Sequence, residues 1–329
     1  KLDFEHKHTM FDASLGFSTL TEISKLMDMP LADASLLPTY WISKEARKKV
    51  KVVLDGDGSD ELLGGYGTFS AARVAQKLYY LKPLAALMFS SANLMPTSMT
   101  DFSFDFKVKS FLKGFGARNI ADQNSIWLGA FNRNELSKLL DRKLTIAIEE
   151  AAHLNKANDQ LDTIDQISQL TIDSYLKNDI LVKLDRATMY ASLEARTPFL
   201  DIDLVDFITK LPVEYKYDKN ILKQLMRGRI PDVIIDRPKK GFGIPLAFWL
   251  KGPWYDFASL TLSQNNLKQH NLFNHDYVRK LLTDHRQGRV DNRKKLWTLI
   301  SWQLWFKNYG REYTQAKSEP NKLTTNSGV

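Results

Sequence analysis

The chain has 329 residues, 43% hydrophobic and 26% charged, which is the make-up of a globular protein of one large or two ordinary domains. It has no cysteine, which excludes disulfides, thiolate metal sites and a cysteine nucleophile and suits a cytoplasmic setting; no apolar run nears the roughly 18 residues of a bilayer span, nor does a signal peptide stand at the start, so no membrane partner is expected. The net charge of +8 comes from basic residues scattered over 44–51, 107–118, 216–229, 237–240 and 286–295, and no segment interleaves them with aromatics in a recognisable RNA or DNA motif, so the expected partner is an anionic small molecule and not a nucleic acid.

Residues 1–8 read as a strand or its flank, and residues 15–29 carry apolar positions at helical spacing up to Pro30. A polar loop over 31–40 holds Asp33, Ser35 and Pro38, and Pro38 opens a helix over 39–49 that ends in a basic run. Lys51-Val52-Val53-Leu54 is short, apolar and β-branched, which predicts a buried strand. Asp55-Gly56-Asp57-Gly58 must then turn sharply. Ser59 is placed to cap a helix whose first turn holds Asp60 and Glu61, where the dipole favours negative charge. Strand, acidic glycine turn and helix N-terminus together describe the carboxyl end of a strand in an open α/β sheet, the usual site of a ligand crevice. Simple helix capping explains the same acids. A calcium loop does not, because its sixth and twelfth positions would be Asp60 and Tyr66 where glycine and glutamate are needed.

Residues 69–94 read as helical with a break at Pro83 and a stop at Pro96. Residues 100–116 are mixed, and Phe102, Phe104, Phe106, Phe111 and Phe115 are expected to anchor a loop on the core. Short helices are expected over 121–152 and long ones over 161–190. Asp201 should cap a helix over 202–210 that Pro212 stops. A basic helix over 221–230 precedes a loop, 237–245, with two glycines and two prolines. Helices over 254–262, 276–286 and 292–308 complete the chain, the last with an apolar stripe of Leu296, Trp297, Ile300, Leu304 and Trp305. One parallel strand cannot stand alone in water. Either further strands lie in 1–5 and 195–200, or part of the sheet is missing, and an unpaired edge would favour self-association as a homo-oligomer. The six histidines share no metal-ligand spacing.

Three segments, in order, carry a family resemblance: Leu54-Asp55-Gly56-Asp57-Gly58-Ser59-Asp60-Glu61-Leu62-Leu63-Gly64-Gly65-Tyr66, then Asn178-Asp179-Ile180-Leu181-Val182-Lys183-Leu184-Asp185-Arg186 running to Glu194-Ala195-Arg196-Thr197-Pro198-Phe199-Leu200-Asp201, then Arg237-Pro238-Lys239-Lys240-Gly241-Phe242-Gly243-Ile244-Pro245. Together with Asp33-x-Ser35-x-x-Pro38-Thr39, the sequence resembles the synthetase domain of the glutamine-hydrolysing asparagine synthetase family. The resemblance implies a Rossmann-like, ATP pyrophosphatase sheet of the adenine-nucleotide α-hydrolase kind, incomplete here, with a large helical C-terminal part. Residues 1–315 would be that domain and 316–329 a polar, disordered tail.

By the same resemblance a carboxylate, aspartate by default, attacks the α-phosphorus of ATP. Pyrophosphate leaves, and ammonia from a glutaminase domain displaces AMP from the acyl adenylate. Asp57 would handle the ammonia's proton, Asp179 would stand near the substrate, and Lys239 would neutralise charge on the leaving group. Asp55, Gly56, Gly58 and Lys240 would line the nucleotide, and Asp60 would be a ligand to Mg²⁺. Arg196 and Asp201 are read as structural. Two departures stand out. The family's Ser-Gly-Gly-x-Asp-Ser pyrophosphate loop is absent, its nearest fragment being Ser14-Leu15-Gly16-Phe17-Ser18, and there is no glutaminase domain. Asp55 also replaces the family's usual serine. The departures imply an enzyme piece inactive by itself; the rival reading is a non-catalytic helical remnant serving as a scaffold.

Overall fold

The computed structural model describes residues 6–100, 103–152, 157–238 and 241–310. The strand expected over 1–5 and the tail beyond 310 lie outside the described residues, as do Lys239 and Lys240. Among the described residues the architecture is mostly helical α/β with one small parallel sheet, β1 (Val52–Leu54) beside β2 (Glu194–Arg196). Val52, Val53 and Leu54 face Glu194, Ala195 and Arg196, and the Asp55 N–H extends the ladder to the Arg196 carbonyl at 2.8 Å. β2 falls in one of the two stretches expected to hide a strand. The expectation that β1 is buried fails, since Val52 is 39% and Leu54 75% exposed. A two-stranded sheet lacks the flanking elements that would cover both faces of a central strand.

The main core is built by helices from both ends of the chain: Ala13–Ile23 and Leu36–Arg47 against Leu246–Lys251, Tyr255–Thr261, His275–Arg286 and Arg293–Trp305. Asp12 caps the first of these, its carboxylate accepting the Leu15 N–H at 2.8 Å. That helix stops at Ile23, six residues short of the periodic pattern. Tertiary partners take its end, for Asn308 and Tyr309 donate to the Ser24 and Lys25 carbonyls and Trp305 to that of Asp28. Gly16 lies inside this helix, where an added Cβ would meet the Trp249 ring at 2.7 Å. The fragment Ser14 to Ser18 is thus a packing contact, not a phosphate loop.

The next helix starts at Leu36, not Thr39, because Asp33 organises its entry. The Asp33 carboxylate accepts from the Ser35 N–H and hydroxyl, both at 2.8 Å. Pro38 sits in the first turn, where its missing N–H costs nothing. The expected loop over 100–116 is instead a helix, Phe104–Phe115, in which Phe111 and Phe115 stack one turn apart at 5.3 Å and Gly114 lies against Trp127. Aromatic side chains at helical spacing found a buried partner, and that outweighed weak local propensity. Leu246–Lys251, unforeseen after Pro245, carries the buried Trp249 and Leu250. Asp201 caps Ile202–Lys210 as expected, accepting from the Asp203 and Leu204 N–H groups. No helix among the described residues is long and apolar enough to cross a membrane.

One continuous helical arm connects this core to the small sheet. It runs as α-helix over Thr163–Thr171, as π-helix over Ile172–Ile180 and as α-helix again over Leu181–Tyr190. Single π turns inside α-helices often mark functional sites. This one carries Tyr175 and Asp179.

Candidate active site

The turn after β1 is set by two glycines with different duties. Gly58 has φ +89°, and a Cβ there would stand 2.4 Å from Leu200 Cδ2. Gly58 is the residue preceding the helix Ser59–Leu62, so Ser59 is its first residue and not its cap. The Ser59 hydroxyl donates back to the Gly56 carbonyl at 2.8 Å, which closes the turn. Gly56 is exposed and an added Cβ would meet nothing within 4 Å, so the backbone is open to close approach on that side. Gly58→Ala is expected to cost about 2–4 kcal/mol, from left-handed backbone strain plus the Leu200 overlap. Urea denaturation measures it; a change below about 0.5 kcal/mol, the usual scatter of surface substitutions, would mean that the turn relaxes freely.

Around this turn the acids fall into two groups. Asp55 accepts the Asp57 N–H at 2.6 Å, fixing the two carboxylates side by side. Burial pushes the Asp57 carboxyl up to about 6, reinforced by the charges of Asp55 and Glu61 and opposed by Lys183. Asp60 is held differently, ion-paired at 2.8 Å to Lys219, whose ammonium also donates to the Ser59 hydroxyl at 3.1 Å. Lys219 is delivered by two successive left-handed residues, Asp218 and Lys219, whose N–H groups donate to the Gly64 and Leu63 carbonyls. Gly65 makes room for the pair, because a Cβ there would meet Asp60 Oδ1 at 2.0 Å and Lys219 Cε at 2.5 Å. Glu61 is 1% exposed and accepts from the Tyr66 hydroxyl at 2.5 Å. Burial raises Glu61, and burial followed by the Glu61 charge raises the Tyr66 phenol.

Tyr66 leads to the π-helix, its ring 6.0 Å from that of Tyr175. Tyr175 is raised by burial and then by the charges of Asp33, Asp179, Glu61 and Asp57, so it stands between the turn and a second acidic pair. Asp179 is pushed up to about 6, first by burial and then by Asp33, and is eased by Lys183 and Lys294. Asp33, Tyr175, Asn178 and Asp179 line a cavity of about 1590 Å³ together with Gly241–Ile244 and Lys294. The Lys294 side chain lines this cavity and its ammonium donates to the Leu128 carbonyl at 3.3 Å.

Of the residues singled out from sequence, Asp55, Asp57 and Asp60 therefore share one corner, and Asp179 reaches it through Tyr175 and Lys183. Asp55 to Asp60 do not line the cavity itself. Lys239 and Lys240 lie outside the described residues, while the glycines after them line the cavity, as Asp179 does. Sequence reading passed over Lys183, Lys219 and Lys294, each of which meets these acids from a distant segment. It also passed over the Glu61–Tyr66 bond, which the five-residue spacing across a helix turn could have suggested.

The open backbone at Gly56 suits a nucleotide, since only a residue without a side chain lets a phosphate or ribose come so near. Magnesium fits less well. Among the described residues no three His, Asp or Glu side chains group as a metal site, and Asp60 already has an ammonium at 2.8 Å. One neutralised carboxylate does not by itself hold Mg²⁺, which usually binds through one or two carboxylates plus phosphate oxygens.

Known proteins share these motifs. The asparagine synthase family profile matches residues 1–307. The chain is 30% identical over 298 residues to asparagine synthetase [glutamine-hydrolyzing] 1 of Bacillus subtilis (strain 168), which covers 87% of this chain and 45% of that protein. It is likewise 30% identical over 296 residues to a putative asparagine synthetase [glutamine-hydrolyzing] of Mycobacterium tuberculosis (strain ATCC 25618 / H37Rv), with 88% and 44% covered. A more distant relative is amidase chry2 of Gibberella zeae, 20% identical over 271 residues, with 73% of this chain and 39% of that protein covered. The chain thus spans a little under half the length of these relatives. With its motifs in order and a profile match over nearly all its described length, the chain belongs to the asparagine synthase family.

Proposed function

We propose that this chain forms the synthetase part of an enzyme that makes an amide from a carboxylate at the expense of ATP, with aspartate as the default substrate and ammonia as the nitrogen donor. The observation that carries the reading is the cavity wall shared by Asp33, Tyr175 and Asp179 with the glycines after Lys239 and Lys240, where the buried Lys183 pairs with Asp33 at 3.7 Å. In this reading residues 1–315 act as one nucleotide-using module of the ATP pyrophosphatase type. The relatives' name, glutamine-hydrolysing, supplies the source of ammonia: a glutaminase domain within the other half of their length.

A substrate carboxylate oxygen attacks the α-phosphorus of ATP, and the P–O bond to pyrophosphate breaks. Ammonia then attacks the acyl carbon, loses a proton to Asp57, and AMP leaves with the C–O bond pair. Burial raises the proton affinity of Asp57 towards the working pH, which suits a proton acceptor. Asp55, Gly56 and Gly58 shape the backbone against the nucleotide, and Lys240 is assigned to the same ligand. Lys239 neutralises the leaving pyrophosphate, and Asp179 faces the substrate. Asp60 is assigned the cation that accompanies the triphosphate, for which it must release Lys219; no step depends on that cation here.

The test uses the full-length protein with ATP, ammonia and aspartate. AMP, pyrophosphate and amide are expected in equal amounts. ADP and phosphate as products would replace the mechanism. A cooperatively folded protein without ATP affinity would leave only the scaffold reading.

A further inference from the structure

Amide formation as proposed uses Asp57 and Asp179 but not the ammonium between them. Lys183 is 7% exposed, and lysine is almost never that buried without partners. Its Nζ donates to the Ser35 hydroxyl at 3.3 Å and lies 3.7 Å from Asp33 Oδ2. Asp33 grips Ser35 through both the backbone N–H and the hydroxyl, so the ammonium closes a three-member polar knot at the entry of Leu36–Arg47. Asp179 precedes Lys183 by four residues on the same helical arm, a spacing that stacks the two on one face. Asp33 and Asp179 share the wall of the cavity.

We propose that Lys183 is a positioning residue for this site: a buried ammonium that ties the Asp33–Ser35 arm to the carboxylates of Asp57 and Asp179. Asp33 is its ion-pair partner, and the charges of Asp57 and Asp179 feel it at longer range. Asp57 meets Asp55 and Glu61 as like charges and Lys183 as its opposite one. Asp179 meets Asp33 as its like charge, with Lys183 and, across the cavity, Lys294 as opposites. Removing Lys183 therefore leaves acids facing acids, and they respond by binding protons.

The inference rests on the amide-forming reading for its purpose, yet its test does not need activity. Carboxyl-carbon NMR titration of this chain is expected to place Asp57 and Asp179 near 6. In Lys183→Met both should rise by about one pH unit or more, and Lys183→Arg should restore them. Asp33→Asn should shift Asp179 the other way, because a like charge has been removed. Thermal melts followed by circular dichroism check that each variant folds. Superposable titration curves for Lys183→Met and the unsubstituted chain would overturn the proposal. Should Lys183→Met not fold, an Asp33→Asn variant with Asp179 unmoved would overturn it equally, and a lowered Asp179 would support it. If the titrations move as expected while the full-length protein makes no amide, the functional reading fails and the role of Lys183 stands.

Discussion

Replacing Asp57 by asparagine is expected to slow amide formation by the full-length protein on the order of 10²- to 10⁴-fold, the usual worth of a positioned proton acceptor. Asparagine keeps the shape and hydrogen bonding of the turn and removes a charge that burial disfavours, so at neutral pH the urea midpoint should rise and not fall. The sign of the pH dependence follows from the raised value near 6. Asp57 accepts a proton only when ionised, so the rate should fall as pH drops through about 6, with ammonia held constant in its neutral form. That acid limb should be absent in the variant's residual rate. Stability has the opposite slope. A carboxyl raised from 3.8 to about 6 on folding takes up protons in the folded state, so its contribution is fullest below about 4 and is lost as pH rises through 6. A rate unchanged in Asp57→Asn would remove Asp57 from the chemistry and leave it a turn residue.

The largest effect on stability is expected from Trp254→Ala, a loss of about 3–5 kcal/mol by urea denaturation. Trp254 is 2% exposed and its ring lies 4.8 Å from Trp249 and 6.4 Å from Trp297. Its indole N–H donates to the Ala13 carbonyl at 3.0 Å, across most of the chain's length. The side chain therefore joins the first helix to the last ones, and truncation opens a cavity while leaving that carbonyl without its partner. Phe17, edge-on to the same ring at 6.0 Å, is itself exposed and does not fill the gap. A loss below about 1 kcal/mol would show that the surrounding helices collapse into the space.

What could be read from sequence was what neighbours in the chain decide. The turn at Asp55 to Gly58 and the cap at Asp201 rest on residues two or three apart, and both stand in the structure. The sequence pattern puts that helix start at Thr39, three residues late, because Asp33 captures Ser35 from outside the helical pattern. Phe104–Phe115 reads as a loop in sequence because its order comes from Trp127, stacked on Phe111 from another segment, and not from its own propensity. At the site, the acids were visible as a motif, while Lys183 and Lys219 were not. Each meets its carboxylate across more than a hundred residues of sequence, Lys183 to Asp33 and Lys219 to Asp60, and single lysines carry no local sign of such a partner.

The π-helical stretch has a consequence for any chain that shares this site. Over Ile172–Ile180 the arm holds one residue more than an α-helix would fit in the same rise. A version one residue shorter there would wind as uninterrupted α-helix and swing its upstream side by about 100° relative to the downstream turns. Tyr175 would leave Asp179's neighbourhood, and whether Asn178 or Asp179 looks into the cavity would be decided anew. In a surface loop a gained or lost residue merely lengthens or trims a bend. Here it re-aims charge, so a single-codon change in length can redraw which molecule the cavity accepts.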